Sequence, residues 1–132
     1  MNNYLEPKLD KELHGISALA LAHVGDAVFE LMVRTRLCTT GELTSKQLHT
    51  KTVTYVSAKA QAAVADKIIH LLDEEEYEIY KRGRNAHVNN VPRGSTLEEY
   101  HTATGIETLF GYLYLSGKTK RLEELFIVVI EK

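Results

Sequence analysis

The stretch ALALAHVGDAVFELMV, residues 18–33, decides how this chain folds. Apolar residues fall on nearly every side of the helix it would form, which marks a buried core element. Asp26 and Glu30 interrupt it. An ionised carboxylate is costly to bury unless something pairs with it, so the stretch raises the question of what holds Asp26. Asp26 and Glu30 are four residues apart and project from one helix face. Arg34 follows Glu30 at the same spacing, and an ion pair between them is the favoured reading for Glu30.

Outward from this stretch the pattern stays helical. Only two prolines occur, Pro7 and Pro92, and no run alternates with period two. A first helix is expected from about Ser17 to Leu37. Thr44 and Gln47 carry the signature of a capping box that opens a short helix through about Lys51. A longer helix from about Thr54 to Leu72 follows, with Val56, Ala60, Ala63, Val64 and Ile68 on one buried stripe. Asp73 is placed to cap the next helix, and Gly83 to end it. Residues 83–95, GRNAHVNNVPRGS, form the one long loop. A second mostly apolar helix runs from about Leu97 to Ser116, and Thr119 caps a last one through Ile130. The segment LFIVVI, residues 125–130, suits a strand by composition, but its charged flanks favour helix. The expected fold is all-α, a compact bundle with orthogonal crossings, in a single domain over residues 1–132.

Bulk properties exclude several classes. Hydrophobic residues make up 44% of the chain, enough for a packed core, and 132 residues suit one domain. The single cysteine, Cys38, cannot form an internal disulfide, which points to a reducing compartment. The opening MNNYLEPKLDKELHG has no apolar core segment, so no secretory leader is expected. Residues 18–33 are too short and too charged for a membrane span. A soluble cytoplasmic protein with no membrane partner is the expectation.

A second helix repeats the oddity of the first. In TATGIETLFGYLYL, residues 102–115, Glu107 is the only charged residue, where leucine would be the ordinary choice. Either each acid pairs with a nearby basic group, or the two converge on a divalent cation. Hard cations take oxygen ligands, and Mg²⁺ is often held by one or two carboxylates, with waters and phosphate oxygens completing the shell. Gly25 precedes Asp26, and Gly111 lies one turn after Glu107. Glycine permits close backbone approach, as two short acids sharing one ion require. His23, three residues before Asp26, is within reach of it. No histidine or cysteine cluster suggests zinc.

Charge is segregated along the chain although the net value is only −2. Residues 43–65 contain no acid but include Lys46, Lys51 and Lys59, and residues 79–97 contain none but include Lys81, Arg82, Arg84 and Arg93. Such windows suit a phosphate backbone. They equally suit ordinary solvated faces.

The segments LAHVGDAVFEL (21–31) and TGIETLFGYLYL (104–115) resemble the two acidic segments of the ribonuclease III family. KRGRNA (81–86), VSAKAQA (56–62) and the order of segments resemble one branch of it, the Mini-ribonuclease III enzymes. The resemblance covers roughly Leu13 to Leu125. It implies a helical homodimer, with the first acidic helix at the subunit contact. It also implies a Mg²⁺-dependent endoribonuclease acting on double-stranded RNA and leaving 5′-phosphate and 3′-hydroxyl ends. Asp26 and Glu107 would be the catalytic and metal-binding acids. By spacing alone, Glu30 is placed to stand behind them if it does not pair with Arg34, and so is His23, which reads more readily as a core or rim histidine than as a ligand. Arg82, Arg84 and Asn85, with Lys59 and Arg93, would contact RNA. The substrate implied is precursor ribosomal RNA of the large subunit, with a ribosomal protein as a candidate partner. Larger family members carry further acids where this chain has Ala22 and Thr104, so weaker metal binding without RNA is expected. They also append an RNA-binding domain for which 132 residues leave no room, so affinity would come from the catalytic surface and fall with salt. The alternatives are a non-catalytic RNA-binding or ribosome-associated module of the same fold, and a helical protein-interaction domain.

Overall fold

A computed structural model of the chain describes residues 2–86 and 93–131. Six α-helices and two short 3-10 turns make up the regular structure, and there are no strands among the described residues. The helices are α1 (Ala18–Thr39), α2 (Ser45–Val56), α3 (Ala58–Ile68), α4 (Glu74–Arg84), α5 (Leu97–Leu115) and α6 (Thr119–Ile130). Residues 125–130 are therefore helical. No helix among the described residues is long and apolar enough to cross a membrane.

The centre of the fold is α5, and α1, α3, α4 and α6 all pack against it. From Ala103 to Leu113 its residues are buried on every side except at Glu107 and Tyr112. Phe110 of α5 meets Phe29 of α1 edge-on at 5.4 Å between ring centres, and Phe29 meets Phe126 of α6 at 6.0 Å. Edge-to-face pairs of this kind add to the burial energy of the rings. Gly117 (φ 78°) ends α5 in a Schellman turn: its N–H donates to the Tyr114 carbonyl and the Lys118 N–H to that of Leu113. The chain thereby turns back into α6. The N-terminal segment is tied to the same end of α5 by the Leu9 N–H donating to the Leu115 carbonyl at 2.8 Å.

Helix starts follow the expected chemistry with instructive exceptions. Thr44 with Gln47 and Asp73 with Glu76 form reciprocal capping boxes. The helix expected from Thr54 to Leu72 does not exist as one piece: α2 runs on to Val56, and Ser57 breaks the chain by capping α3 through a bond from the Ala60 N–H at 3.2 Å. Gly83 does not terminate α4 but lies inside it, buried against α5. Thr119 is the first residue of α6 rather than its cap; Lys118 holds that position without a side-chain bond. Of the long loop, residues 87–92 lie outside the described residues.

The expectation for α1 needs the largest correction. It is covered on one side only, where Leu21, Phe29 and Val33 are buried, while Leu31 is 60% exposed and Asp26 is open to solvent. It is α5, not α1, that is enclosed. Elsewhere one buried charge is fully paired. Glu76 receives a two-pronged bond from Arg121, Nε to Oε2 at 2.8 Å and Nη2 to Oε1 at 2.9 Å, which ties α4 to α6.

Candidate active site

Two glycines set the spacing of α1 and α5. A Cβ on Gly25 would lie 1.6 Å from the Glu107 carbonyl oxygen, and one on Gly111 would lie 1.9 Å from that of Leu21. Neither position tolerates a side chain, so the backbones touch. The Thr108 hydroxyl, bonded to the Thr104 carbonyl at 2.7 Å, also reaches the Ala18 carbonyl at 3.2 Å and pins the start of α1 to α5. On the other flank of α5, Gly83 sits against Thr108, and Gly105 against the Tyr80 ring. Small residues on three helices thus hold α5 in a fixed register.

This contact brings Asp26 and Glu107 together, although they are 81 positions apart in sequence. Glu107 is the more enclosed. Burial, the charge of Asp26 and a hydrogen bond between the two carboxyls push its pKa up from 4.5 to about 8, while the side-chain amide of Gln61 acts against that rise. Glu107 is therefore held in its protonated form to higher pH than an ordinary carboxyl. Among the described residues, neither forms an ion pair with lysine, arginine or histidine. The reading in which each acid is neutralised by its own basic neighbour does not describe this pair.

The donor set suits a hard divalent cation. It consists of two carboxylates and no sulfur or imidazole, and a cation between them would supply the positive charge that relieves their repulsion. No group of three or more histidines, cysteines or acids among the described residues is arranged to hold a metal ion, so waters and substrate oxygens would have to supply most of the shell. Ala22 and Thr104 are buried and bring no further carboxylate, and the Thr104 hydroxyl bonds the Tyr100 carbonyl of its own helix.

The remaining candidates are dispersed. Glu30 receives Arg34 Nε at 2.8 Å and Nη2 at 2.5 Å, so its carboxylate is engaged as the i,i+4 spacing suggests. His23 is exposed. Arg84, whose guanidinium lies 5.7 Å from the Tyr80 ring centre, lines a cleft of about 560 Å³ with Asn85 and His101. Lys59 lines a second cleft that shares Asp66, Glu98 and Thr102 with the first. These acids make the surface less uniformly positive than the sequence windows suggest. Arg82 is not with Arg84: it points towards the N-terminal segment, with Nη2 at 3.5 Å from the Ile16 carbonyl. Arg93 is exposed. The residue that sequence reasoning missed is Gln61, 1% exposed, in the buried stripe that it forms with Val64, Ala65 and Ile68. Its signal was a polar side chain where the stripe calls for leucine.

Comparison with known proteins places the chain in a family. The model of the ribonuclease III domain matches residues 19–118, which include both acids. The Mini-ribonuclease 3 of a Thermoanaerobacter species is 46% identical over 89% of this chain and 84% of its own length. That of Enterococcus faecalis is 43% identical over 92% of each. A crystal structure of a Fusobacterium nucleatum protein superposes with a TM-score of 0.85 at 34% identity, covering 92% of this chain and 98% of that one. The chain belongs to the ribonuclease III family, within its Mini-ribonuclease III group.

Proposed function

We propose that this protein is an endoribonuclease that cuts double-stranded RNA by phosphodiester hydrolysis, with Asp26 and Glu107 holding a divalent cation, Mg²⁺. The observation that carries the reading is the pair itself: two acids far apart in sequence, brought side by side by the close α1–α5 contact and without a basic partner among the described residues. When bound, the cation polarises the scissile phosphate and lowers the pKa of the attacking water. Asp26, open to solvent, is the acid that faces the RNA. Glu107, held on the enclosed helix, gives up its proton as the site is loaded. Arg84, Asn85 and Lys59 hold backbone phosphates along the two clefts, with Arg82 and Arg93 as further contacts. The duplex is read by shape and 2′-hydroxyls. Water attacks phosphorus and the bond to the 3′ oxygen breaks, leaving 5′-phosphate and 3′-hydroxyl ends. The substrate class is ribosomal RNA precursor of the large subunit, cut in the cytoplasm.

The working form is a homodimer. The exposed apolar residues Leu31 and Ile127, 60% and 50% exposed, flank a groove between α1 and α6 with Met32 and Phe126. Contiguous apolar surface of this kind marks an interaction face, and a second copy is its occupant. Cleavage of a plain RNA duplex with and without Mg²⁺ tests the activity, with Asp26→Asn as control. The variant should bind the duplex, melt normally and not cut. A wild-type protein that shifts the duplex in a gel without cutting would instead be the non-catalytic module.

A further inference from the structure

Gln61 has no role in the reading above, yet its placement is unusual. It sits on the buried face of α3, 1% exposed, between α3 and the central α5. Its Nε2 makes no hydrogen bond of ordinary geometry within the protein. Burying an amide without a partner is unfavourable, and leucine or methionine would fill the same volume without that penalty. Its side chain reaches far enough towards α5 to act on the Glu107 carboxyl, opposing the rise in that group's pKa.

We infer that Gln61 is a positioning residue for the acidic pair: when a cation is bound, its free side-chain amide donates to one oxygen of Glu107 and turns the other towards the cation site beside Asp26. The inference rests on the proposed metal role of Asp26 and Glu107. A carboxylate ligand has two oxygens, and a donor on one of them fixes the direction of the other. Glu107 has particular need of such a partner. Its helix is enclosed, no arginine or lysine pairs with it among the described residues, and Asp26 repels its ionised form. The Nε2 of Gln61 is buried, has no other partner and belongs to a side chain close enough to Glu107 to act on it.

The test is Mn²⁺ binding to the full chain without RNA, followed by water-proton relaxation, for wild type, Gln61→Leu and Asp26→Asn. Losing a partner behind a metal ligand typically lowers affinity about 10- to 100-fold, so Gln61→Leu should bind Mn²⁺ at least about 10-fold more weakly. Its melting temperature in EDTA should match or exceed that of wild type, because leucine leaves no amide unpaired. Affinity within twofold of wild type would overturn the role of Gln61. If wild type itself binds no more Mn²⁺ than Asp26→Asn, the acidic-pair reading fails, and this inference fails with it. A second readout needs no variant: the ¹⁵N side-chain amide resonance of Gln61 should move on titration with Mg²⁺, and a resonance that stays in place overturns the proposal even if Gln61→Leu does not fold.

Discussion

Replacing Glu107 with glutamine should make the metal-free protein more stable at alkaline pH while removing its catalysis. The folded-state pKa of Glu107 is raised from 4.5 to about 8. Below pH 4.5 both folded and unfolded chains carry the proton, and the group contributes its full stability. As pH rises from 4.5 towards 8, the unfolded chain releases the proton first, and each pH unit favours unfolding by about 1.4 kcal/mol. The whole interval corresponds to roughly 5 kcal/mol. Glu107 is only partly buried and Asp26 is exposed, so screening reduces this to about 2 kcal/mol. Glutamine cannot ionise and keeps that stability at every pH. For a domain of this size the gain corresponds to a melting temperature roughly 5–10 °C higher at pH 9. The assay is thermal unfolding in EDTA from pH 4.5 to 9 at fixed protein concentration. Wild type and Glu107→Gln should melt together at the acid end and diverge towards pH 9. A difference independent of pH would refute the placement of Glu107 beside Asp26.

Other consequences follow from the packing and the charges. Gly25→Ala places a methyl group inside the contact with the Glu107 carbonyl; it should cost about 1–3 kcal/mol or more in urea unfolding and reduce cleavage sharply, and a variant that melts like wild type would contradict the close approach. Arg121→Ala leaves Glu76 buried without its partner, and a loss of about 3–5 kcal/mol is expected, which denaturant titration at pH 7 would detect. Arg84→Ala should raise KM and lower the slope of log affinity against log salt by about one; an unchanged slope would remove Arg84 from the phosphate contacts.

Much of this was legible in the sequence because it is carried by local chemistry. The capping pairs Thr44–Gln47 and Asp73–Glu76 are complete signals within four residues. The acids of α1 and α5 stand out against apolar neighbours, and the adjacent glycines indicate close approach. Other features depend on what lies across the contact. Gly83 suits a helix end by sequence, and only the Thr108 side chain against it makes it an interior packing position. Ser57 interrupts a continuous helical pattern through one hydroxyl and one N–H, a signal too small to outweigh its surroundings. The periodicity of α3 places Ala63, which is exposed, on the buried stripe and so passes over Gln61. Periodicity finds a face but fixes its direction only within one or two residues. Nor does an apolar sequence say which of two similar helices is wrapped by the others, which is why Asp26 emerged at the surface and Glu107 did not.

The enclosure of α5 makes the acidic pair an asymmetric tool. One jaw, Glu107, is fastened to a helix with neighbours all round, so it stays in place until the whole bundle opens. The other jaw, Asp26, rides on a helix whose outer side is bare. Whatever settles on that bare side, nucleic acid or protein, adjusts the grip from one direction only.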